Sequence, residues 1–477
     1  MANIDLYVDT SSVEPRSIGD IYEDIRQVYL SYSYPWVVGY SGGKDSTAML
    51  QLIWYALAEL SPKQRQKPVY VISSDTLVET PIIVNYIDET LDKINNRATE
   101  VGMPFKAQKL TPVLDDTFWV NLIGRGYPAP NNIFRWCTDR LKIKPSNRFI
   151  LNKVAEHGEV ILALGSRRGE SATRDQVLKM HRMRGQVLAR HGQLPGAWVY
   201  MPVEHFTTDD IWTYLLQVPS PWGGDNRSLA SLYRSAQDGE CPLVVDDSTP
   251  SCGNSRFGCW TCTVVDRDRS MEAMIDSGEE WMIPLLEFRD WLASTQDPEV
   301  KPQQREYKSR DGRIKITKDG RLRWRTYTLE FSKEMLKRLL ETQRAVQEDV
   351  QDFSLINENE LREIRRLWLT ERQDWEDSLP QIYVNVTGQV MDWDYNDISM
   401  PGPLELELLQ QIADRYDVPI RLPQKLLDAE WQYYGMRRRG LIHKSIEKIF
   451  QENWSTLEEV QAEVTLRRQQ FAKEAKA

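Results

Sequence analysis

Cysteine is scarce, with five in 477 residues. That count is too low for a disulfide framework. Apolar residues never run for the 18 or so positions that a membrane-spanning helix needs. The opening string MANIDLYVDTSSVEP has neither a basic stretch nor an apolar one. No secretory leader is therefore expected, and a cytoplasmic protein without a membrane span is. Positive charge is not in excess either: 60 Lys and Arg face 70 Asp and Glu, a net of −10. This argues against a polycation that coats nucleic acid. Low-complexity tracts and internal repeats are not apparent. What is there is an ordinary globular composition, 41% hydrophobic and 27% charged. At about 150 residues per domain, the length suits roughly two to four domains. Four of the five cysteines fall between Cys241 and Cys262. In a chain without an export signal, such a cluster reads as metal binding before disulfide.

Short apolar runs alternate with helical periodicity in the first half. Residues 1–34 form a polar lead-in. Trp36-Val37-Val38-Gly39-Tyr40 reads as a strand, and Ala48 to Leu60 as a helix with apolar residues near a 3.6-residue period. Val69-Tyr70-Val71-Ile72 and Val160-Ile161-Leu162-Ala163-Leu164 are further strands. The pattern predicts an α/β fold with a mostly parallel sheet, spanning 35–217. Ligands gather at the C-terminal strand edge of such sheets. Residues 218–270 are rich in Pro, Gly, Ser and Asp and carry the clustered cysteines. From 271 to 477 the chain reads as mainly helical, with a hairpin over 312–329 around Asp319-Gly320.

Ser41-Gly42-Gly43-Lys44-Asp45-Ser46-Thr47 lies between the first strand and the first long helix. Glycines let a backbone approach phosphate oxygens, and a helix N-terminus offers free N–H groups. Ser41, Ser46 and Thr47 add hydroxyls, and Lys44 adds charge. The string is not the G-x-x-x-x-G-K-[ST] loop of kinase-like NTPases. It resembles the PP-loop of the N-type ATP pyrophosphatases, and within them the phosphoadenylylsulfate reductase family. Three further strings carry that resemblance: Ser74-Asp75-Thr76 with Glu79 and Pro81 following, Gly165-Ser166-Arg167-Arg168-Gly169-Glu170-Ser171, and Met201-Pro202-Val203 with the helix from Thr208. It implies cleavage of ATP to AMP and pyrophosphate, usually with Mg²⁺. ATP would be held by residues 41–47, Asp75 and Arg167. Lys44, Asp45, Arg167 and Arg168 would be the catalytic residues of that step.

The fifth cysteine, Cys137, sits in Arg135-Trp136-Cys137-Thr138-Asp139-Arg140-Leu141-Lys142. Basic neighbours favour a thiolate, so a sulfur-handling role is expected. Basic residues also concentrate over 167–190, 301–325 and Arg437-Arg438-Arg439. In the second segment Tyr307, Trp324 and Tyr327 are interleaved, a pattern suited to nucleic acid. Solvated surface charge is the plainer reading of each.

The cluster reads Cys241-x10-Cys252-x6-Cys259-x2-Cys262. Four thiolates suit a tetrahedral zinc or an iron–sulfur cluster, and a single C-x2-C with irregular spacing favours iron–sulfur. With the PP-loop, Cys137 and a helical second half, the whole resembles the DndC family of DNA sulfur-modification proteins. That resemblance implies a 4Fe–4S cluster and adenylation of a DNA backbone phosphate, so that sulfur can replace a non-bridging oxygen. DNA, a cysteine desulfurase and other DNA phosphorothioation proteins are the implied partners. A sulfonucleotide reductase, a tRNA-thiolation enzyme and a non-catalytic iron–sulfur DNA sensor are the alternatives. The reductase would need a terminal redox cysteine, and none follows Cys262. The sensor would need no ATP loop.

Overall fold

Three of the expected apolar runs form the centre of a six-stranded sheet. The computed structural model describes residues 17–168, 187–235, 258–393, 403–434 and 440–474. The strands are β1 (Trp36–Gly39), β2 (Val69–Ser74), β3 (Phe105–Leu110), β4 (Val160–Ala163), β5 (Ala189–Arg190) and β6 (Ala197–Tyr200), in the order β3-β2-β1-β4-β6-β5. All neighbours are parallel except β5 and β6. Trp36, Val37 and Val38 are wholly buried, as are Val160, Ile161 and Ala163. Continuous apolar strands of this kind belong in parallel sheets covered on both faces. The fold is thus the expected α/β type, with a helical C-terminal region.

Helices α1 (Ile18–Ser31), α2 (Lys44–Ala58), α3 (Pro81–Val101) and α4 (Lys144–His157) belong with this sheet. Local signals set their ends. Ser17 and Asp20 form a capping box on α1. Pro81 opens α3, and Gly102 closes it in the left-handed conformation at φ 63°. The chain leaves β1 to form β2 and β3 on one side, then returns to place β4 on the other. The carboxyl ends of β1 and β4 therefore flank a topological switch point, where α/β sheets bind ligands.

The chain divides into two compact units, Met1–Phe118 with Pro130–Asp290 and Trp119–Ala129 with Trp291–Ala477. The second unit is helical, and residues 119–129 are built into it. Trp119 donates its indole N–H to the Leu355 carbonyl at 2.7 Å, and Trp368 donates to that of Ile123 at 3.1 Å. A Cβ on Gly124 would lie 2.9 Å from the Leu367 side chain, so a larger residue there would make that side chain shift. Over 312–329 the Asp319-Gly320 turn is present. It closes a single bridge, Ile316 with Leu322, and the preceding Asp311-Gly312 turn closes another, Lys308 with Ile314, rather than a continuous ladder. Among the described residues no helix is long and apolar enough to cross a membrane.

Candidate functional site

The loop after β1 is shaped by its glycines and hydroxyls. Gly42 has φ +76°, a conformation that disfavours any side chain. Gly43 caps α2 in an extended conformation, and the Ser46 and Thr47 hydroxyls donate to its carbonyl at 3.0 and 2.9 Å. The Ser41 N–H donates to the Ser46 hydroxyl at 3.2 Å. One free N–H of the helix start, that of Lys44, donates to the Tyr233 hydroxyl at 3.0 Å. An anion at this helix terminus would find the same donor.

The loop after β4 comes close to it. A Cβ on Gly165 would stand 3.0 Å from the backbone of Asp45 and Ser46. The Asp45 carboxylate takes Lys44 Nζ on one oxygen and Arg167 Nε on the other, both at 2.7 Å. Arg168 turns elsewhere: its Nε meets Glu204 at 2.8 Å, and its backbone N–H donates to the Glu204 carbonyl. Residues 169–171 of the arginine string lie outside the described residues.

Asp75 follows β2, on the other side of β1. Its carboxylate accepts the Leu77 N–H at 2.8 Å and pairs with Lys109 at 3.2 Å. Leu77 itself has φ 63°, a strained setting for a bulky residue, and the Asp75 bond holds it there. A shallow cleft is lined by Ser73, Ser74, Asp75, Glu79, Val84, Ile87 and Lys109.

The same segment reaches the thiols. Thr76 Oγ1 lies 3.2 Å from Cys259 Sγ, and Glu79 forms an antiparallel bridge with Cys259. Cys259 and Cys262 share a tight turn, with the Cys262 N–H donating to the Cys259 carbonyl at 3.0 Å. Arg289, wholly buried, holds this turn from beneath by donating to the carbonyls of Cys262, Val265 and Asp266. Burial pushes the Cys259 thiol up to about 12, with Lys142 opposing and Glu79 assisting. Burial likewise raises the Glu79 carboxyl to about 7. Burial lowers the Lys142 ammonium, but Cys259, Glu79, Cys137 and Cys262 together outweigh it and the net shift is upward.

These contacts extend to the fifth cysteine. The surroundings of Cys137 oppose the charge that its basic neighbours favour. Burial raises its thiol, the nearby Cys262 raises it further, and Lys142 only partly compensates. Cys137 lies within electrostatic reach of Cys259 and Cys262. Cys241 and Cys252 lie outside the described residues. Among the described residues no group of three or more His, Cys, Asp or Glu is arranged to hold a metal ion. The donor chemistry of Cys259 and Cys262, two half-buried sulfurs on one turn beside a cation, suits two ligands of a soft metal or iron–sulfur group.

Several site residues carry no sequence signal. Tyr233, Glu204, Lys109 and Arg289 come from distant stretches and meet the loops only through folding.

Residues 35–265 match the phosphoadenosine phosphosulfate reductase domain family. The reductase-family segment includes the 41–47 loop, Asp75, Cys137, Arg167 and all four clustered cysteines. An uncharacterized protein of Methanocaldococcus jannaschii is 26% identical over 245 residues, 51% of this chain. The matched region spans 39% of that curated relative's length. Among solved structures, phosphoadenylyl-sulfate reductase from Candida auris aligns over 44% of this chain and 90% of its own, at 15% identity and a TM-score of 0.25. The U34-tRNA thiolase NcsA of Methanococcus maripaludis, solved with its 4Fe–4S cluster, aligns over 61% of this chain and 84% of its own, at 14% identity and a TM-score of 0.29.

Proposed function

We propose that this chain is an ATP pyrophosphatase of DNA sulfur modification. The observation that carries the reading is the sharing of one sheet edge by a phosphate loop and a thiol group. Thr76, next to Asp75, touches Cys259 at 3.2 Å. In this reading the 41–47 loop holds the triphosphate of ATP with its Mg²⁺, and Asp45 is the carboxylate available to that ion. Lys44 and Arg167 move from Asp45 to the phosphates and stabilise charge growing on pyrophosphate. Arg168, tied to Glu204, orients the loop that carries Arg167. Asp75 lies near the adenosine or the metal.

A non-bridging oxygen of the DNA phosphodiester attacks the α-phosphorus of ATP, and pyrophosphate leaves. That oxygen now carries AMP, a far better leaving group. Sulfur attack at the DNA phosphorus then breaks the P–O bond and releases AMP. The sulfur, donated by a cysteine desulfurase, arrives as a persulfide on Cys137, whose outer sulfur bonds to phosphorus and whose S–S bond is then cleaved by two electrons from a thiol reductant, or as sulfide beside Cys259 and Cys262, after the same reductant has released it from the donor's persulfide. A 4Fe–4S cluster on Cys241, Cys252, Cys259 and Cys262 would have every iron ligated by a thiolate and would supply electrons, whereas zinc would supply structure.

The test uses the full chain, purified anaerobically, with ATP and either duplex DNA or tRNA. AMP and pyrophosphate should form, faster with DNA. ADP as the product would sink the pyrophosphatase reading. AMP release that responds to tRNA and ignores DNA would replace the DNA assignment with tRNA thiolation.

A further inference from the structure

The basic segment at 301–325 contains a repeat that its sequence hides until the backbone is seen. Ser309-Arg310-Asp311-Gly312-Arg313-Ile314-Lys315 and Thr317-Lys318-Asp319-Gly320-Arg321-Leu322-Arg323 fold into two turns of the same build, contrary to the expectation of no internal repeat. In each, the first residue's N–H donates to the arginine carbonyl at 2.9 Å, and its hydroxyl donates to the same carbonyl, at 2.8 and 3.0 Å. Each hydroxyl shares its one proton between that carbonyl and the turn's aspartate, and each aspartate pairs with the following arginine. Both glycines have φ +72°.

The glycines seat the turns on the C-terminal helices of the same unit. A Cβ on Gly312 would meet the Glu452 side chain at 2.3 Å, and one on Gly320 would meet Arg468 at 2.5 Å. The Gly312 carbonyl accepts the Asn453 N–H at 3.2 Å, and that of Gly320 accepts Arg468 Nε at 3.0 Å. With the glycines turned inward, the charged residues face solvent. Residues 308–323 hold seven basic residues and two acidic ones, a net of +5 on a chain of net −10. Arg313 and Arg321 are neutralised within their turns, and Arg310 is held by Glu371. Lys315, Lys318 and Arg323 are exposed and have no ion-pair partner among the described residues.

We propose that the tandem turns form a surface for the phosphate backbone of duplex DNA, with Lys315, Lys318 and Arg323 as its contacts. This rests on the reading above for the identity of the polyanion. Two of the three interleaved aromatics are committed inward, which favours a duplex over unpaired bases, and Trp324 is the one left partly exposed without such a bond among the described residues. Tyr327 is wholly buried, and the Tyr307 hydroxyl donates inward to the Ser455 carbonyl at 3.1 Å. Stacking on splayed bases needs exposed rings, whereas backbone contacts need only cations held in place.

The experiment measures binding of a fluorescent mixed-sequence DNA duplex of about two helical turns to the full chain over a salt series. The variant Lys315→Ala/Lys318→Ala/Arg323→Ala should bind about tenfold or more weakly at low salt. Its log–log salt slope should fall by about 0.9 per lost phosphate contact, or about 2.7 in all. Arg310→Ala, already paired, should leave the slope nearly unchanged. Wild-type affinity and slope in the triple variant would overturn the proposal, as would an equal effect from Arg310→Ala. A loss confined to tRNA would overturn the duplex assignment. AMP release separates this from the functional reading. DNA-dependent AMP release with an unaffected variant removes the surface alone. Weakened binding alongside ADP as the product removes the pyrophosphatase reading and leaves the surface standing.

Discussion

Asp45 is the residue on which two loops meet. Its two oxygens take Lys44 and Arg167, while the adjacent Arg168 serves Glu204. Adjacent arginines thus have separate surroundings, and their substitutions should separate. Arg167→Ala should lower AMP release by about 10²- to 10³-fold, the usual loss when one charge-stabilising donor is removed. Arg168→Ala, which removes a contact away from the phosphate loop, should lose less than about tenfold. Steady-state AMP formation checks both. Gly165→Ala tests the close approach of the two loops. A methyl 3.0 Å from the Asp45 backbone forces a shift of the kind that costs about 1–3 kcal/mol in packed interiors. Weaker ATP binding together with a lower melting temperature is the expected result. The seven-residue loop was legible as a string because its chemistry is local. Tyr233 and Glu204 were not, because nothing in their own neighbourhoods marks them.

At the scale of elements, the Cys259–Cys262 turn depends on one buried guanidinium. Arg289 satisfies three carbonyls at once, so Arg289→Met leaves them buried and unpaired. A loss of about 3 kcal/mol or more is expected, read by chemical denaturation. Faster alkylation of Cys262 should accompany it, since the turn loses its support. Helix α3 offers a milder comparison. Gly102→Ala meets nothing within 4 Å, so only the left-handed backbone is penalised. About 1 kcal/mol is expected there by thermal unfolding. The ends of α3 were readable from Pro81 and Gly102. The Cys259 turn was readable only as a spacing, because its support comes from a helix (Ile283–Ser294) more than twenty residues downstream.

Across the whole molecule, charge is distributed unevenly, and part of it is buried at a cost. Burial pushes the Asp428 carboxyl up to about 6, with Gln373, Trp375 and Lys425 opposing. The folded chain therefore keeps this proton to about pH 6, while the unfolded chain releases it near 3.8. The Asp428 contribution to stability should fall as pH climbs from about 4 to 6 and level off above. Asp428→Asn should flatten that slope and raise stability at neutral pH by about 1 kcal/mol, allowing for solvent screening. Urea unfolding across this pH range checks the sign.

Local patterning alone determined the α/β class, the positions of β1, β2 and β4, the 41–47 loop between β1 and α2, and the cysteine spacing. Each depends on residues close together in the chain: apolar runs that need burial on two faces, and glycines that need particular backbone angles. Only the tertiary structure decided the rest. It sent 119–129 into the second unit, brought Cys137 beside Cys259 and Cys262, gave Arg167 rather than Arg168 to Asp45, and turned one basic run into two matching turns. Those outcomes follow from burial and from pairing between distant residues. A side chain's solvent exposure and its charged neighbours exist only once the chain has folded.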